Sequence, residues 1–107
     1  MKLWIDDVRP APDGYTWCKS VNEAKRMIKM CDHDPLNGLI YFPDESITLI
    51  DIDHDAGDYA SDGGDYIKLL DWLEETGRNY PIHIHSMNPV GKDNMRRLIK
   101  RCNLKEI

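Results

Sequence analysis

A chain of 107 residues is too short to build two independent hydrophobic cores, so we expect a single domain over residues 1–107. Its 14 Lys and Arg residues against 19 Asp and Glu residues give a net charge of −5, which argues against a protein that binds double-stranded DNA or anionic membranes with its whole surface. The start of the chain lacks a signal-peptide core, and its 3 cysteines follow no disulfide or zinc spacing. We therefore predict a cytoplasmic protein that does not span a membrane.

Apolar periodicity and turn residues predict strands that alternate with helices along the chain. In chain order, the predicted elements are strands at 2–5 and 15–18, a helix from Ser20 to Cys31, strands at 39–42 and 47–53, a helix at 65–76, a strand at 82–86 and a helix ended by Asn103. Strands that alternate with helices form a mostly parallel sheet. The predicted fold class is therefore α/β, with helices on both faces of an open sheet.

Polar side chains follow three of the predicted strands at the points where these strands end. Asp6 and Asp7 follow the first strand, Asp53 ends the central strand and His85 lies at the end of the last. In an open parallel sheet, a ligand site forms beyond the carboxyl ends of the strands. Carboxylates crowded there need a positive charge among them, because otherwise their pKa values rise. Oxygen ligands suit Mg²⁺, so we predict a divalent metal at Asp6, Asp7 and Asp53, with Mn²⁺ or Ca²⁺ as alternatives.

The spacing of Asp51, Asp53 and Asp55 is also that of the first ligands of a calcium-binding loop. We reject this alternative because Ala56 stands where such a loop needs glycine and the run lies inside a predicted strand. Alternation places Asp51 on the same face of the strand as Asp53 and deeper in the sheet, where a carboxylate needs a partner. We predict an interior His83 as that partner.

Two other histidines lie at strand ends beside acidic residues. His54 stands between Asp53 and Asp55, and His85 is followed by Ser86. An imidazole close to carboxylates can give and take protons near neutral pH, as the cleavage of a phosphate ester requires. We therefore expect His54 and His85 to be functional.

The charges are segregated along the chain. Residues 30–67 contain 10 Asp and Glu residues and no Lys or Arg, whereas the last 16 residues contain 6 Lys and Arg residues and 2 acidic ones. A solvated helix face with cations placed where the helix dipole favours them would explain the basic end. An edge that contacts phosphate is the alternative.

The strand-end residues resemble those of a receiver domain, the phosphoacceptor module of two-component response regulators. The stretch 9–14 is too short for the first helix of a receiver, and the receiver's fifth strand and helix are missing or reduced to 103–107. The segments DDVRP, IDHDAGDY and HIHSMNP taken together more closely resemble the cyclic-phosphate-processing receiver-like family. This resemblance implies a receiver-like, flavodoxin-like fold that lacks the first helix and the fifth strand and helix of a full receiver.

The resemblance also implies a metal-dependent phosphoesterase that processes cyclic phosphate or phosphate ends, on a small molecule or on RNA. By residue, it implies Asp6, Asp7 and Asp53 as metal ligands, His54, Asp55 and His85 as proton-transfer residues, and Arg9, Ser86 and Asn88 as phosphate-binding residues. The alternative is a stand-alone phosphorylatable or pseudo-receiver domain that signals or binds without hydrolysis, with Asp53 or Asp55 as the phosphoacceptor. The oligomeric state is not predicted.

Overall fold

The computed structural model describes residues 1–31 and 47–107. Its elements in chain order are β1 (Lys2–Ile5), β2 (Tyr15–Cys18), α1 (Val21–Cys31), β3 (Leu49–Ile52), a 3₁₀ helix (Gly57–Ser61), α2 (Ile67–Glu75), β4 (Pro81–Ile84), α3 (Pro89–Arg101) and β5 (Lys105–Glu106). The predicted strand at 39–42 lies outside the described residues. The other predicted strands and helices are confirmed, with ends that shift by a few residues.

The strands form one parallel sheet in the order β2-β1-β3-β4-β5. The α/β class is therefore confirmed. The predicted absence of a first helix is also confirmed, because β1 returns to β2 through residues 6–14 without one. The fifth strand, predicted to be missing or reduced to 103–107, is present in reduced form, since Lys105 pairs with Pro81 and Glu106 with Ile82. A strand of 2 residues is too short to leave a period-two signal in the sequence.

The helices α1, α2 and α3 lie on one face of the sheet. From β2 onward, each connection crosses the sheet in the same direction, and right-handed crossovers then place the helices on the same side. The connection from β1 to β2 runs the other way and has no helix. The expected helix layer on the second face is therefore not found among residues 1–31 and 47–107. The strand residues that pack in the helix-covered core are Leu3, Ile5, Cys18, Ile50, Ile52, Ile82 and Ile84.

The second face of the sheet carries aromatic and polar side chains. The ring of Trp4 meets Tyr15 edge-on at 5.8 Å between centroids, and the Lys19 ammonium lies 4.5 Å from the centre of the Trp17 ring. His83 is exposed on this face. In the part of the chain that the structure describes, no helix is long and apolar enough to cross a membrane.

Side-chain caps fix the ends of the helices next to the sheet edge. The Ser20 hydroxyl accepts the Glu23 amide at 3.0 Å, which confirms the start of α1. Asn88 begins α3, since its side-chain oxygen accepts the amides of Val90 and Gly91, both at 3.1 Å. At the other end, Asn103 adopts the left-handed conformation with φ 58° and terminates α3 as predicted.

Candidate functional site

The acidic residues that follow β1 and β3 converge at the carboxyl edge of the sheet. The Asp53 amide donates to the Ile5 carbonyl at 2.9 Å, so the two strand ends are held side by side. One carboxylate oxygen from each of Asp6, Asp7 and Asp53 lies within 4.8 Å of the other two. The three predicted metal ligands therefore form one group, called here the acidic cluster. Such a cluster of oxygen donors could bind a metal ion.

The members of the acidic cluster are held in different electrostatic environments. Burial would raise the pKa of Asp6, but its oxygen Oδ1 accepts the amides of Arg9 and Val8, both at 2.9 Å, and with His85 these bonds lower the pKa. Burial and the nearby charges of Asp6 and Asp53 raise the pKa of Asp7. A cation in the cluster would relieve this repulsion. The donor set thus fits a divalent metal.

His85 connects the acidic cluster to a second buried carboxylate. Its Nδ1 lies 2.6 Å from Asp51 Oδ1 and its Nε2 lies 2.9 Å from Asp6 Oδ2. A neutral imidazole carries a hydrogen on one nitrogen only, so both contacts are donated only by the protonated ring. Burial would lower the pKa of His85, but the hydrogen bonds to Asp51 and Asp6 raise it. With a side chain only 9% exposed, His85 is a buried imidazole next to the acidic cluster, and its two carboxylate neighbours favour the protonated form.

Trp4 covers the His85 ring, and Arg9 contacts the His85 backbone. The Trp4 and His85 rings stack at 3.8 Å between centroids and 2° between planes. The Trp4 indole donates to the Arg9 carbonyl at 2.9 Å, and the Arg9 guanidinium donates to the His85 carbonyl at 3.3 Å. Arg9, a predicted phosphate-binding residue, is therefore placed at the site. Trp4 was missed by sequence reasoning, although alternation with Leu3 and Ile5 already places it on the other face of β1.

The predicted pairing of Asp51 with an interior His83 is wrong. His83 lies opposite Asp51 in the sheet register, but it is exposed and its Nδ1 is 3.1 Å from the Ile107 carbonyl oxygen. The partner of Asp51 is His85, two residues further along the same face of the sheet. Trp4 covers His85, whereas His83 lies beside the end of the chain, and this difference decides which histidine is buried.

His54 and Asp55 form a second pair beside the acidic cluster. His54 Nδ1 lies 2.9 Å from Asp55 Oδ1, with the two side chains 20% and 65% exposed. The His54 amide donates to the Asp53 carboxylate at 2.8 Å. On its other side, the His54 ring presses on Gly91 in the first turn of α3, where any Cβ atom would overlap the ring. The structure thus groups Asp53, and not Asp55, with the other metal-ligand candidates.

Ser86 and Asn88 lie in the turn between β4 and α3. The Ser86 hydroxyl oxygen accepts the Asn88 amide at 3.1 Å. The Asn88 side-chain oxygen is used to cap α3. The Ser86 hydroxyl hydrogen and the Asn88 side-chain NH₂ are the donors that remain for a phosphate.

The sequence matches the family model described as the cyclic-phosphate processing receiver domain over residues 1–101. The chain belongs to this family. The resemblance inferred from its motifs and the receiver-like fold class are both confirmed. Comparison with curated proteins and with solved structures gave no match.

The resemblance to a receiver would make Lys105 of β5 the counterpart of the receiver's essential Lys, but in this cyclic-phosphate processing receiver domain Lys105 lies away from the acidic cluster. Lys105 pairs with Pro81 at the start of β4, whereas His85 follows the end of that strand. At about 3.3 Å per residue, the two positions are about 13 Å apart along the strand direction. The buried side chain that contacts Asp6 is instead His85.

Gly57 is a further residue of the site: the sequence suggests that it lets the backbone approach a ligand, but it is not among the predicted site residues. It has φ 55°, in the left-handed region, and a Cβ atom there would overlap the Asp7 carboxylate. Gly57 therefore lets the chain after β3 approach the acidic cluster. In the sequence, Gly57 is recognisable only as a glycine shortly after a strand end, and this does not reveal that it approaches Asp7.

Proposed function

We propose that this domain is a metal-dependent phosphoesterase that processes cyclic phosphate or phosphate ends, on small molecules or on RNA, at the carboxyl edge of the sheet. The observation that carries the proposal is the acidic cluster, with ligand oxygens within 4.8 Å, beside the buried His85 imidazole that contacts Asp6. A bound divalent ion, Mg²⁺ in our proposal with Mn²⁺ or Ca²⁺ as alternatives, would neutralise phosphate charge and lower the pKa of a water molecule. Family membership supports the cyclic phosphate as the target.

Three polar residues around the cluster are proposed to hold the phosphate. The Arg9 guanidinium supplies a permanent positive charge, and Ser86 and Asn88 supply neutral donors. Arg9 approaches from the loop after β1, and the other two from the turn after β4. A phosphate held by all three would lie across the edge of the sheet.

Opening a cyclic phosphodiester requires an activated water and a proton for the leaving hydroxyl. His54 is the accessible imidazole for proton transfer, and Asp55 holds its Nδ1. Both nitrogens of His85 are bonded to carboxylates, so His85 can pass a proton to substrate only after its bond to Asp6 breaks. In the resting site, His85 orients Asp6 and balances its charge.

The test uses the purified protein with a 2′,3′-cyclic nucleotide and Mg²⁺ or Mn²⁺, followed by detection of the linear monophosphate. We expect turnover that a chelator abolishes and that falls roughly a hundredfold or more in Asp53→Asn and His85→Ala. The matched control is Asp58→Asn, which removes an exposed carboxylate of the 3₁₀ helix and should keep wild-type turnover. Absence of turnover in the wild type with either metal, or full turnover in Asp53→Asn, contradicts the proposal.

The alternative is a stand-alone phosphorylatable or pseudo-receiver domain. The observation in its favour is that Asp53 is partly exposed and shares the cluster with Asp6 and Asp7. Stable labelling of Asp53 by acetyl phosphate, together with no hydrolysis of cyclic nucleotides, would support this alternative. Loss of the label in Asp53→Asn but not in Asp55→Asn would identify the acceptor.

The proposal includes a cytoplasmic location and no membrane or double-stranded DNA partner. Support for the location comes from the thiols of Cys18, Cys31 and Cys102, which form no disulfide in the described residues.

A further inference from the structure

The segment from α3 to the end of the chain is basic in an otherwise acidic protein. Residues 89–107 hold 6 Lys and Arg residues against 2 acidic ones, a surplus of 4 positive charges. The rest of the chain holds 8 Lys and Arg residues against 17 acidic ones, a deficit of 9. The protein therefore has a strong charge asymmetry, and a polyanion would be drawn to α3 and repelled elsewhere.

The cations of α3 lie on its solvent side. Met95, Leu98 and Ile99 face the core, while Arg96, Arg97 and Lys100 are exposed. These three cations line a surface hollow together with Asp93 and Glu106. Arg96 donates to Glu106 at 2.9 Å. Arg97 and Lys100 form no ion pair with the described residues and are available to a partner.

The helix dipole does not explain this arrangement. It favours cations in the last turn, where Lys100 and Arg101 lie. It disfavours a cation in the first turns, yet Lys92 follows directly on Gly91 there, and Arg96 and Arg97 lie in the middle of the helix. A row of cations that begins at the disfavoured end needs another reason.

The basic row begins at the candidate site. The first turn of α3 presses on the His54 ring through Gly91, and Lys92 is the next residue. Lys92, Arg96 and Lys100 then follow at intervals of four residues, about 6 Å of helix rise each. The row therefore leads from the edge of the sheet along α3, in the way that a positively charged groove tracks the backbone of a nucleic acid strand.

We propose that α3 binds the backbone of a single-stranded nucleic acid whose terminal phosphate occupies the candidate site. This inference rests on the proposed function for the position of the strand end, but the binding itself does not require hydrolysis. The segment 89–101 has no aromatic residue on which a base could stack, so α3 contacts the backbone independently of base sequence. The substrate is thus a polynucleotide end rather than a free nucleotide.

The test is fluorescence anisotropy with a labelled single-stranded RNA of about twelve nucleotides that ends in a 3′-hydroxyl, and with DNA of the same sequence. We expect both strands to bind, with a slope of log K against log salt of about −3, since one phosphate at each of Lys92, Arg96, Arg97 and Lys100 contributes about −0.7. In Arg97→Glu/Lys100→Glu, we expect at least a tenfold loss of affinity and a shallower slope. The matched control, Arg26→Glu/Lys68→Glu, makes the same charge change at exposed positions of α1 and α2 and should lose far less affinity.

The outcomes separate the two proposals. Binding that persists in Asp53→Asn supports the role of α3 whether or not the protein hydrolyses cyclic phosphate. Turnover of a cyclic mononucleotide without salt-dependent binding of either strand overturns the role of α3 and leaves the phosphoesterase in place. Equal losses in the α3 variant and its control also overturn it, as does equal affinity for a poly-glutamate peptide, which would indicate an acidic protein partner.

Discussion

The two faces of the sheet differ in what they contribute, although they are built from the same short strands. On one face, alternate residues such as Ile5, Ile52 and Ile84 are at most 2% exposed and pack under three helices. On the other face, the intervening positions carry Trp4, Asp51 and His83. The first face holds the domain together, and the second supplies the support for the acidic cluster. Compared with a full receiver, the domain has no helix between β1 and β2. This absence leaves the core complete and changes only the face of the sheet on which His85 is held.

The largest expected loss of stability comes from breaking the ion network of His85. In the described residues, this is the one buried ion network on the open face, the face of the sheet without helices. His85→Gln removes the cation between Asp51 and Asp6, and breaking a buried charge network of this kind should lower the free energy of unfolding by about 3 to 5 kcal/mol. The measurement is urea unfolding of the wild type and the variant. His83→Gln, two residues earlier in β4 on the same face but exposed, is the control and should change stability by less than about 0.5 kcal/mol.

The stability difference between the wild type and His85→Gln should depend on pH, in a direction set by the raised pKa of His85. The pKa of folded His85 lies above its ordinary value of 6.5, so its contribution is fully present below that pH and is lost as pH rises through the folded pKa. The gap between the wild type and His85→Gln should narrow at alkaline pH. A gap that widens there would contradict the assignment of His85 as a buried cation.

The two faces can also be compared on a single strand, β3, by truncating one side chain on each face. Ile50→Ala empties a fully buried position of β3 and should lower the free energy of unfolding by about 3 kcal/mol. Leu49→Ala changes the neighbouring, half-buried position on the opposite face and should lower it by about 1 kcal/mol. Equal losses in the two variants, measured by thermal or urea unfolding, would mean that the open face also has a packed cover.

The smallest expected loss of stability comes from removing the hydrogen bonds by which Asp62, after the 3₁₀ helix, holds the start of α1. The Asp62 carboxylate accepts the Ser20 hydroxyl at 2.6 Å and the Asn22 side-chain amide at 3.1 Å, and both bonds lower its pKa. Its contribution is fully present above the ordinary value of 3.8 and is lost as pH falls through the folded pKa. Asp62→Asn should therefore unfold at a higher pH in an acid titration followed by circular dichroism. The control Asp13→Asn changes an exposed carboxylate and should unfold at the same pH as the wild type. An unchanged pH midpoint in Asp62→Asn would show that the hydrogen bonds of Asp62 do not stabilise the fold.

Much of the fold could be predicted from the sequence because its signals are local. The capping residue Ser20, the apolar stripes of the helices and the alternation of the strands depend on neighbours within a few positions. The residues Asn88 to Gly91 include Pro and Gly, which often mark a turn, yet they cap and begin α3, since Pro is tolerated in the first turn of a helix and Asn caps the amides. The two-residue β5 is defined by its partner β4 and not by its own residues.

The acidic cluster could be predicted because parallel strands bring their carboxyl ends to one edge. The environment of the cluster could not. Alternation gives the face on which Asp51 lies, but the choice between His83 and His85 depends on Trp4, which comes from β1 and stacks on the His85 ring. Contacts between strands distant in sequence decide which group is buried, and a single sequence does not contain them.

The short return from β1 to β2 has a consequence for the order of folding. Residues 6–14 close a small loop, which loses little chain entropy, whereas Lys2 must find Leu49 across a far longer stretch to pair β1 with β3. Nucleation at the amino end is therefore kinetically accessible before the remaining strands dock. Asp53 and His85 reach Asp6 only through pairings between strands distant in sequence, so the metal-binding site is assembled only when the whole sheet is formed.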